Sequence, residues 1–438
     1  MNPKTVLKNS FGYDTFRGIQ ERVVNHIIAG SHALVIMPTG SGKSLLYQIP
    51  ALMLEDLTIV ISPLIALMKD QVDVLVKKGI AATYVNSSLS GNEREKRYQD
   101  LHKGKYKILY VTPERFRKKE FIEVLKTRKV SLLSVDEAHC ISEWGHDFRP
   151  DYTRLKEFRE IMDWPLTIAL TATATPEVQN DIISQLGLSK DEMQLFHEGI
   201  ARPNLKLQTI PLWGEDEKLG EILDVIKEHP GSGIVYFSLI KDLENMSDLL
   251  KRKNIRHSVY HGKLENKQRK AIQERFMTSR SNLILATNAF GMGIDKEDIR
   301  FVVHAQVTGS IESYYQEIGR AGRDGKPSLC LLLYDEQDLN IHLEFMKWNN
   351  PSAEFYHRAY SLLRADLERV NGEGIEYLKE QLTYKNRRDF RVETVLSIFD
   401  RYGVIEGDIE EKNIRVISEI PEKLTDQDYL DIKLKRDQ

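Results

Sequence analysis

Short apolar runs rich in valine, isoleucine and leucine alternate with longer stretches in which apolar residues recur every three or four positions, through the first three quarters of the chain. Runs of that length bounded by turn-forming residues predict strands buried on both faces, and their alternation with amphipathic helices predicts parallel sheets covered by helices. In the first half the strands are expected at 33–37, 57–62, 107–112, 132–135 and 167–170. In the second half they are expected at 233–237, 258–260, 283–286, 301–305 and 329–334. Between the two sets, residues 202–214 carry Pro203 and Pro211 and read as a linker. The pattern is thus one α/β architecture used twice.

Chemistry concentrates at the ends of these strands. Residues 37–44, MPTGSGKS, follow an apolar run and precede a helical stretch at 45–54, the strand–turn–helix context of a phosphate loop. Thr39, Gly40, Ser41 and Gly42 form the turn, and its two glycines let backbone amides close around phosphate oxygens. Lys43 is placed to reach the outer phosphates and Ser44 to ligate magnesium. Met37 stands where the strict pattern has its first glycine. A second strand, 132–135, delivers Asp136 and Glu137, the first to hold a nucleotide-bound magnesium and the second to orient or deprotonate the attacking water. Only the first half has a phosphate loop, so the second half is expected to close over its nucleotide. QEIGRAGRDG, residues 316–325, supplies Arg320 and Arg323 for that purpose, as arginine fingers toward the γ-phosphate.

The carboxylates run directly into a loop of aromatic and basic residues. Trp144, His146, Phe148 and Arg149 cluster around Gly145 and end at Pro150, side chains suited to stacking on bases and meeting phosphate. A net charge of −3 over 438 residues gives no global field for nucleic acid, so such a surface must be local. Basic clusters at 115–119, 126–129, 251–253 and 385–391 are candidates. Two cysteines, Cys140 and Cys330, cannot build a disulfide framework or a four-cysteine zinc site, so no structural zinc is expected. No apolar stretch approaches a membrane-spanning length and the first residues lack a signal-peptide core, which predicts a cytoplasmic protein without a membrane partner.

In their order, these segments resemble a superfamily-two helicase, and the loop at 141–152 resembles that of the RecQ family of DNA helicases. The resemblance runs through about residues 11–340. FGYDTFRGIQ, at 11–20, is similar to the family's adenine-reading motif, with Gln20 at the base and Arg17 beside it. SPLIALMKDQV, at 62–72, and TPERF, at 112–116, resemble strand-contacting motifs, which implies DNA contacts for Ser62, Lys69, Thr112 and Arg115. ALTATAT, at 169–175, resembles the motif that couples hydrolysis to domain movement. VYFS, YHGKL, ATNAFGMGIDK and SYYQEIGRAGRDG fill the motifs of the second half.

The resemblance implies two tandem RecA-like parallel-sheet domains, 1–205 and 206–340. Beyond these, 341–438 is expected to be a small, mainly helical accessory domain. There helices at 353–367, 373–382 and 392–402 precede strand-like pieces at 404–407 and 414–420, as in a reduced winged helix, with Lys385, Arg387, Arg388 and Arg391 as a duplex-phosphate patch. The implied activity is ATP- and magnesium-dependent translocation, 3′-to-5′, on single-stranded DNA, with unwinding of forked or junction DNA in repair or recombination. An RNA-remodelling ATPase and a non-hydrolysing nucleotide-gated clamp are the alternatives. Protein partners, such as a single-strand-binding protein, are left open by the residues.

Overall fold

Leu57–Ile61, LTIVI, is buried at every position, as a strand covered on both faces must be. It lies near the middle of a seven-stranded sheet. The computed structural model describes residues 2–419 apart from 64, 143–151, 153, 280, 292–293, 295, 350, 384–390, 402, 408 and 410–411. The strands of the first sheet are β1 (His32–Ile36), β2 (Leu57–Ile61), β3 (Ala82–Val85), β4 (Ile108–Val111), β5 (Val130–Val135), β6 (Leu166–Thr171) and β7 (Met193–His197). They pair in the order β3-β4-β2-β5-β6-β1-β7, all parallel. A second sheet contains β8 (Leu205–Pro211), β9 (Ser232–Tyr236), β10 (Ser258–Tyr260), β11 (Leu283–Ala286), β12 (Ile299–His304) and β13 (Ser328–Tyr334). Its order is β10-β11-β9-β12-β13-β8, again all parallel. Helices cover both faces of each sheet and bury a core on either side, around Ile59, Leu133 and Phe158 on one face of the first and Val35, Tyr47 and Ile168 on the other.

All ten strands expected from apolar runs are present, with ends shifted by a residue or two. β3, β7 and β8 were not anticipated, and all three are edge strands. The segment 202–214 is therefore not a linker: Leu205–Pro211 pairs in register with Ser328–Tyr334 along its whole length. All seven of its residues are exposed or half-buried, so no continuous apolar run announces the strand. Pro203 precedes it and Pro211 ends it, positions an edge strand tolerates.

β9 carries a glycine for a packing reason. Gly233 pairs with Phe301 of β12, and a methyl group on Gly233 would lie 2.0 Å from the Phe301 ring. Phe301 is itself buried and has nowhere to move. Gly233→Ala is expected to destabilise the chain by about 1–3 kcal/mol, read as a lower midpoint of denaturant unfolding.

Residues 336–438 form a separate compact unit. Within its described part, helices Leu339–Asn349, Ala353–Ala365, Leu367–Glu373, Ile375–Thr383 and Arg391–Arg401 precede a two-stranded antiparallel hairpin, Ile405–Glu406 with Arg415–Val416. Phe355, Leu363, Val370, Val395, Phe399 and Ile405 share its core. The expected helix 353–367 is broken at Asp366, whose backbone leaves the helical region at φ −126° and ψ 36°. Asn371 holds the hairpin through a reciprocal pair of 2.9 Å bonds with the backbone of Ile414. Of the basic patch, Lys385, Arg387 and Arg388 lie outside the described residues, and the Arg391 guanidinium packs 4.5 Å from the Phe355 ring centre. Among the described residues, no helix is long and apolar enough to cross a membrane.

Candidate active site

The phosphate loop takes its shape from two glycines and one residue that need not be glycine. Gly40 and Gly42 sit at φ +77° and +82°, where side chains with a Cβ are strained. Met37 keeps an ordinary backbone, donates its amide to Thr171 O at 3.1 Å as an extension of β1, and buries its side chain. The first glycine of the strict pattern is dispensable for that reason. Ser44 stands at the N-cap of the helix Leu45–Met53 without a side-chain capping bond, and the helix's first amides, Leu45 N and Leu46 N, donate to Gly42 O at 3.2 Å and Lys43 O at 3.0 Å. Lys43 Nζ donates to the carbonyls of Met37 at 3.0 Å and Pro38 at 3.4 Å. Burial lowers the Lys43 pKa, while the neighbouring Glu137 and Asp136 raise it.

The carboxylates arrive at the end of β5. Asp136 N extends the ladder to Ile61 O at 2.8 Å. Burial first, then the adjacent Glu137 charge, pushes the Asp136 carboxyl well above the usual range, and Lys43 pulls it back. Ser62, expected on the DNA side, is buried and its side chain hydrogen-bonds to Asp136. Glu137 has a left-handed backbone at φ 47° and ψ 49°, a conformation that costs a residue with a side chain roughly 1–3 kcal/mol. Its Oε2 is buried without a hydrogen-bond partner among the described residues, and lies 3.4 Å from His139 Nδ1. That ring nitrogen is 3.0 Å from Thr171 Oγ1, joining the carboxylate segment to the ALTATAT segment.

Gln20, the first residue of the helix Gln20–Ile28, spans the loop and the segment expected to read adenine. Its Nε2 donates to Ser41 O at 2.8 Å and Gly42 O at 3.3 Å, and its Oε1 accepts from the Arg17 amide at 3.0 Å. The other wall of the cleft comes from the second sheet. Arg323 lays its side chain on Gly40, where a methyl group would sit 3.0 Å from its Cγ. Arg320 is buried and donates to Gly291 O. Thr39 Oγ1 donates to Gly319 O at 3.3 Å, a crossing so close that a methyl group on Gly319 would fall 2.0 Å from that oxygen.

Together these residues line a cleft of about 320 Å³, within the size range of ligand sites. Arg17, Gln20, the loop from Thr39 to Ser44, Asp136, Glu137, Arg320 and Arg323 all face it. Tyr13 and Gln71 face it as well and were not singled out from the sequence, although both lie inside quoted motifs. The site fits a magnesium–nucleotide pair. It offers a carboxylate oxygen on Glu137 with no hydrogen-bond partner among the described residues, a second carboxyl pushed toward protonation by burial and then by the Glu137 charge, and a cation on the phosphate side.

The remaining DNA-side candidates are dispersed. Thr112 is buried before the short helix Pro113–Arg117, Arg115 is half-buried within it, and Lys69 is exposed on the helix Ile65–Lys77. Trp144, His146, Phe148 and Arg149 lie outside the described residues. Both flanks of their loop are described. Ser142 Oγ donates to Asp181 at 2.6 Å, on the helix Pro176–Gln185, and the buried Tyr152 donates its hydroxyl to Asp136 O at 3.3 Å. Cys140 and Cys330 are both buried thiols.

Comparison with known proteins agrees with this geometry. Residues 17–182 match the DEAD/DEAH box helicase family and residues 216–325 the helicase conserved C-terminal domain. The ATP-dependent DNA helicase RecQ of Bacillus subtilis is 47% identical over 340 residues, 77% of this chain and 57% of the relative. A probable ATP-dependent DNA helicase RecS of the same organism is 39% identical over 346 residues, 78% of this chain and 69% of the relative. Among solved structures, the Mycobacterium smegmatis helicase Lhr bound to ssDNA and AMP-PNP superposes with a TM-score of 0.59 at 21% identity, over 81% of this chain and 51% of that one. A DEAD-box helicase bound to ssRNA and UDP-BeF gives 0.63 at 18% identity, over 92% and 91%. These two likenesses establish the fold. The chain spans about half the length of the RecQ relatives it matches. A cleft built by two RecA-like sheets and the identity to these relatives lead to one assignment: the chain belongs to the RecQ family of helicases.

Proposed function

We propose that the chain is an ATP- and magnesium-dependent DNA helicase that moves 3′-to-5′ along single-stranded DNA and unwinds forked or junction duplexes in repair or recombination. In this reading the two motor domains are those expected at 1–205 and 206–340, with the boundary a few residues earlier because β8 (Leu205–Pro211) pairs within the second sheet, and 341–438 is a zinc-free accessory domain, in a cytoplasmic protein. Lys43 binds the outer phosphates, Ser44 and Asp136 hold magnesium, and Glu137 orients the attacking water. Magnesium, when bound, neutralises charge that develops on the phosphates. Arg320 and Arg323 stabilise that charge from the second sheet, so hydrolysis runs only while the two walls are together.

The observation that carries the reading is the tie between the hydrolytic carboxylates and the aromatic loop. A buried hydroxyl at one flank, Tyr152, reaches the backbone of Asp136 itself, so a change in the loop has a short path to the metal-binding carboxylate. Trp144, His146, Phe148 and Arg149 supply stacking worth about 1–3 kcal/mol per base, and a cation for the strand. Ser62, Lys69, Thr112 and Arg115 complete the proposed strand contacts, with Ser62 acting through Asp136.

Turnover of ATP with single-stranded DNA, single-stranded RNA and no nucleic acid is the test. DNA should stimulate hydrolysis more than RNA does; the opposite order would favour an RNA-remodelling ATPase, and no turnover with either would favour a clamp. Trp144→Ala and Tyr152→Phe are both expected to reduce stimulation by DNA while leaving DNA-free hydrolysis within about a factor of two, since one hydrogen bond or one ring is lost outside the phosphate site. Equal losses in both conditions would remove the coupling role.

A further inference from the structure

The chain passes from the first sheet to the second within a few residues. Glu198 N still pairs with Ile36 O at 3.1 Å, as a continuation of β7. Gly199 follows at φ +90°, with open space where a side chain would be. From Ile200 onward the segment is stitched to the second sheet's side. Tyr315, on the helix Ile311–Ile318, donates its hydroxyl to Ile200 O at 2.9 Å, and Asn204 Nδ2 donates to Gly322 O at 2.8 Å.

Arg202 lies in the middle of this segment, half-buried. One terminal nitrogen donates to Ala321 O at 2.9 Å and Gly322 O at 3.0 Å. The other donates to Thr39 O at 3.2 Å and Gly319 O at 3.4 Å. Three of the four carbonyls belong to the turn that ends the Ile311–Ile318 helix and carries Arg320 and Arg323. Carbonyls at a helix end lack partners within the helix and favour a cation. The fourth, Thr39 O, belongs to the phosphate loop across the cleft. Only a planar fork of donors can serve four carbonyls in this way; an ammonium presents its three donors from a single point.

We propose that Arg202 is a positioning residue for hydrolysis, bracing the turn that carries Arg320 and Arg323 and completing that brace through Thr39 O when the cleft closes. The proposal rests on the nucleotide-hydrolysis reading above. Gly199 is the pivot about which the braced turn swings, because it separates the last backbone bond to the first sheet from the first bond to the second side. Arg202 then couples closure to the arginine fingers without itself serving as one.

The test uses the full chain with Arg202→Ala and Arg202→Lys, alongside wild type. Steady-state hydrolysis with single-stranded DNA gives kcat and KM. Dyes at Lys96→Cys and Asn245→Cys, exposed positions on the first-sheet and second-sheet sides and outside the proposed nucleotide and DNA contacts, report closure by energy transfer with magnesium, AMP-PNP and a DNA oligonucleotide. Arg202→Ala should lower kcat by about 10- to 100-fold, as misplacement of a catalytic group does. KM for ATP should stay within about twofold, the closed population should fall, and the melting temperature of the free protein should hold. Arg202→Lys should not restore turnover. Wild-type kcat and closure in Arg202→Ala, full rescue by lysine, or a parallel fall in kcat, nucleotide affinity and melting temperature would each overturn the proposal. If the wild-type chain does not hydrolyse ATP, the helicase reading fails while the dye distance still decides the role of Arg202.

Discussion

Arg323→Ala is expected to slow DNA-stimulated ATP hydrolysis by about a thousandfold or more, the effect of losing an arginine finger. Nucleotide should still bind. Arg323 rests on Gly40, against the phosphate loop from the opposite wall; burial is the main cause that lowers the Lys43 pKa, and the Arg323 charge adds to it. In the proposed mechanism Lys43 and the loop amides hold the phosphates in the ground state, and the additional cation matters most as charge spreads over the oxygens in the transition state. The loss should therefore fall on kcat and leave the dissociation constant of a fluorescent ATP analogue almost unchanged. Arg320→Ala is a less clean experiment. Arg320 is buried against Gly291 O, and its removal leaves a cavity as well as a missing charge. A variant Arg323→Ala retaining a tenth of wild-type turnover would rule out a finger role.

Lys43→Ala removes the cation on the near wall. Hydrolysis should fall by about a hundred- to a thousandfold, with weaker nucleotide binding and no detectable unwinding. The reason lies in the local charge balance. Lys43 is the cation that pulls the raised Asp136 carboxyl back toward ionisation, against burial and the charge of Glu137. Without it, Asp136 is protonated more readily and becomes a poorer magnesium ligand. The phosphates lose a donor at the same time, so one substitution disables two partners. Rapid-quench hydrolysis and a forked-duplex unwinding assay measure both consequences. Unwinding at the wild-type rate would refute the assignment of this loop.

Some of this organisation could be read from the chain and some could not, for physical reasons. Central strands such as β2 and β5 are buried on both faces and leave an uninterrupted apolar signature. β7 and β8 lie at sheet edges, where one flank needs no cover, and their alternating or polar composition resembles a connection. The phosphate loop, the carboxylates and the two arginines each carry a local pattern of spacing, and the fold brings them to one cleft. Arg202 carries none. Its partners are backbone carbonyls as far as 163 residues away in the sequence, and a carbonyl has no residue identity to recognise. Ser62 shows the same limit from another side: its motif locates it near the strand-contacting segments, but only the packing of β2 against β5 turns its hydroxyl to Asp136.

The left-handed backbone of Glu137 has a consequence for how this protein can be improved. A glycine or asparagine at that position would relax the turn, so the residue proposed to activate water is among the poorer choices for thermal robustness. Selection of variants by heat resistance alone would therefore be drawn toward replacing it, enriching well-folded but hydrolytically silent chains. Any search for a hardier enzyme should hold position 137 fixed and seek its gains elsewhere, in the edge strands and the cores.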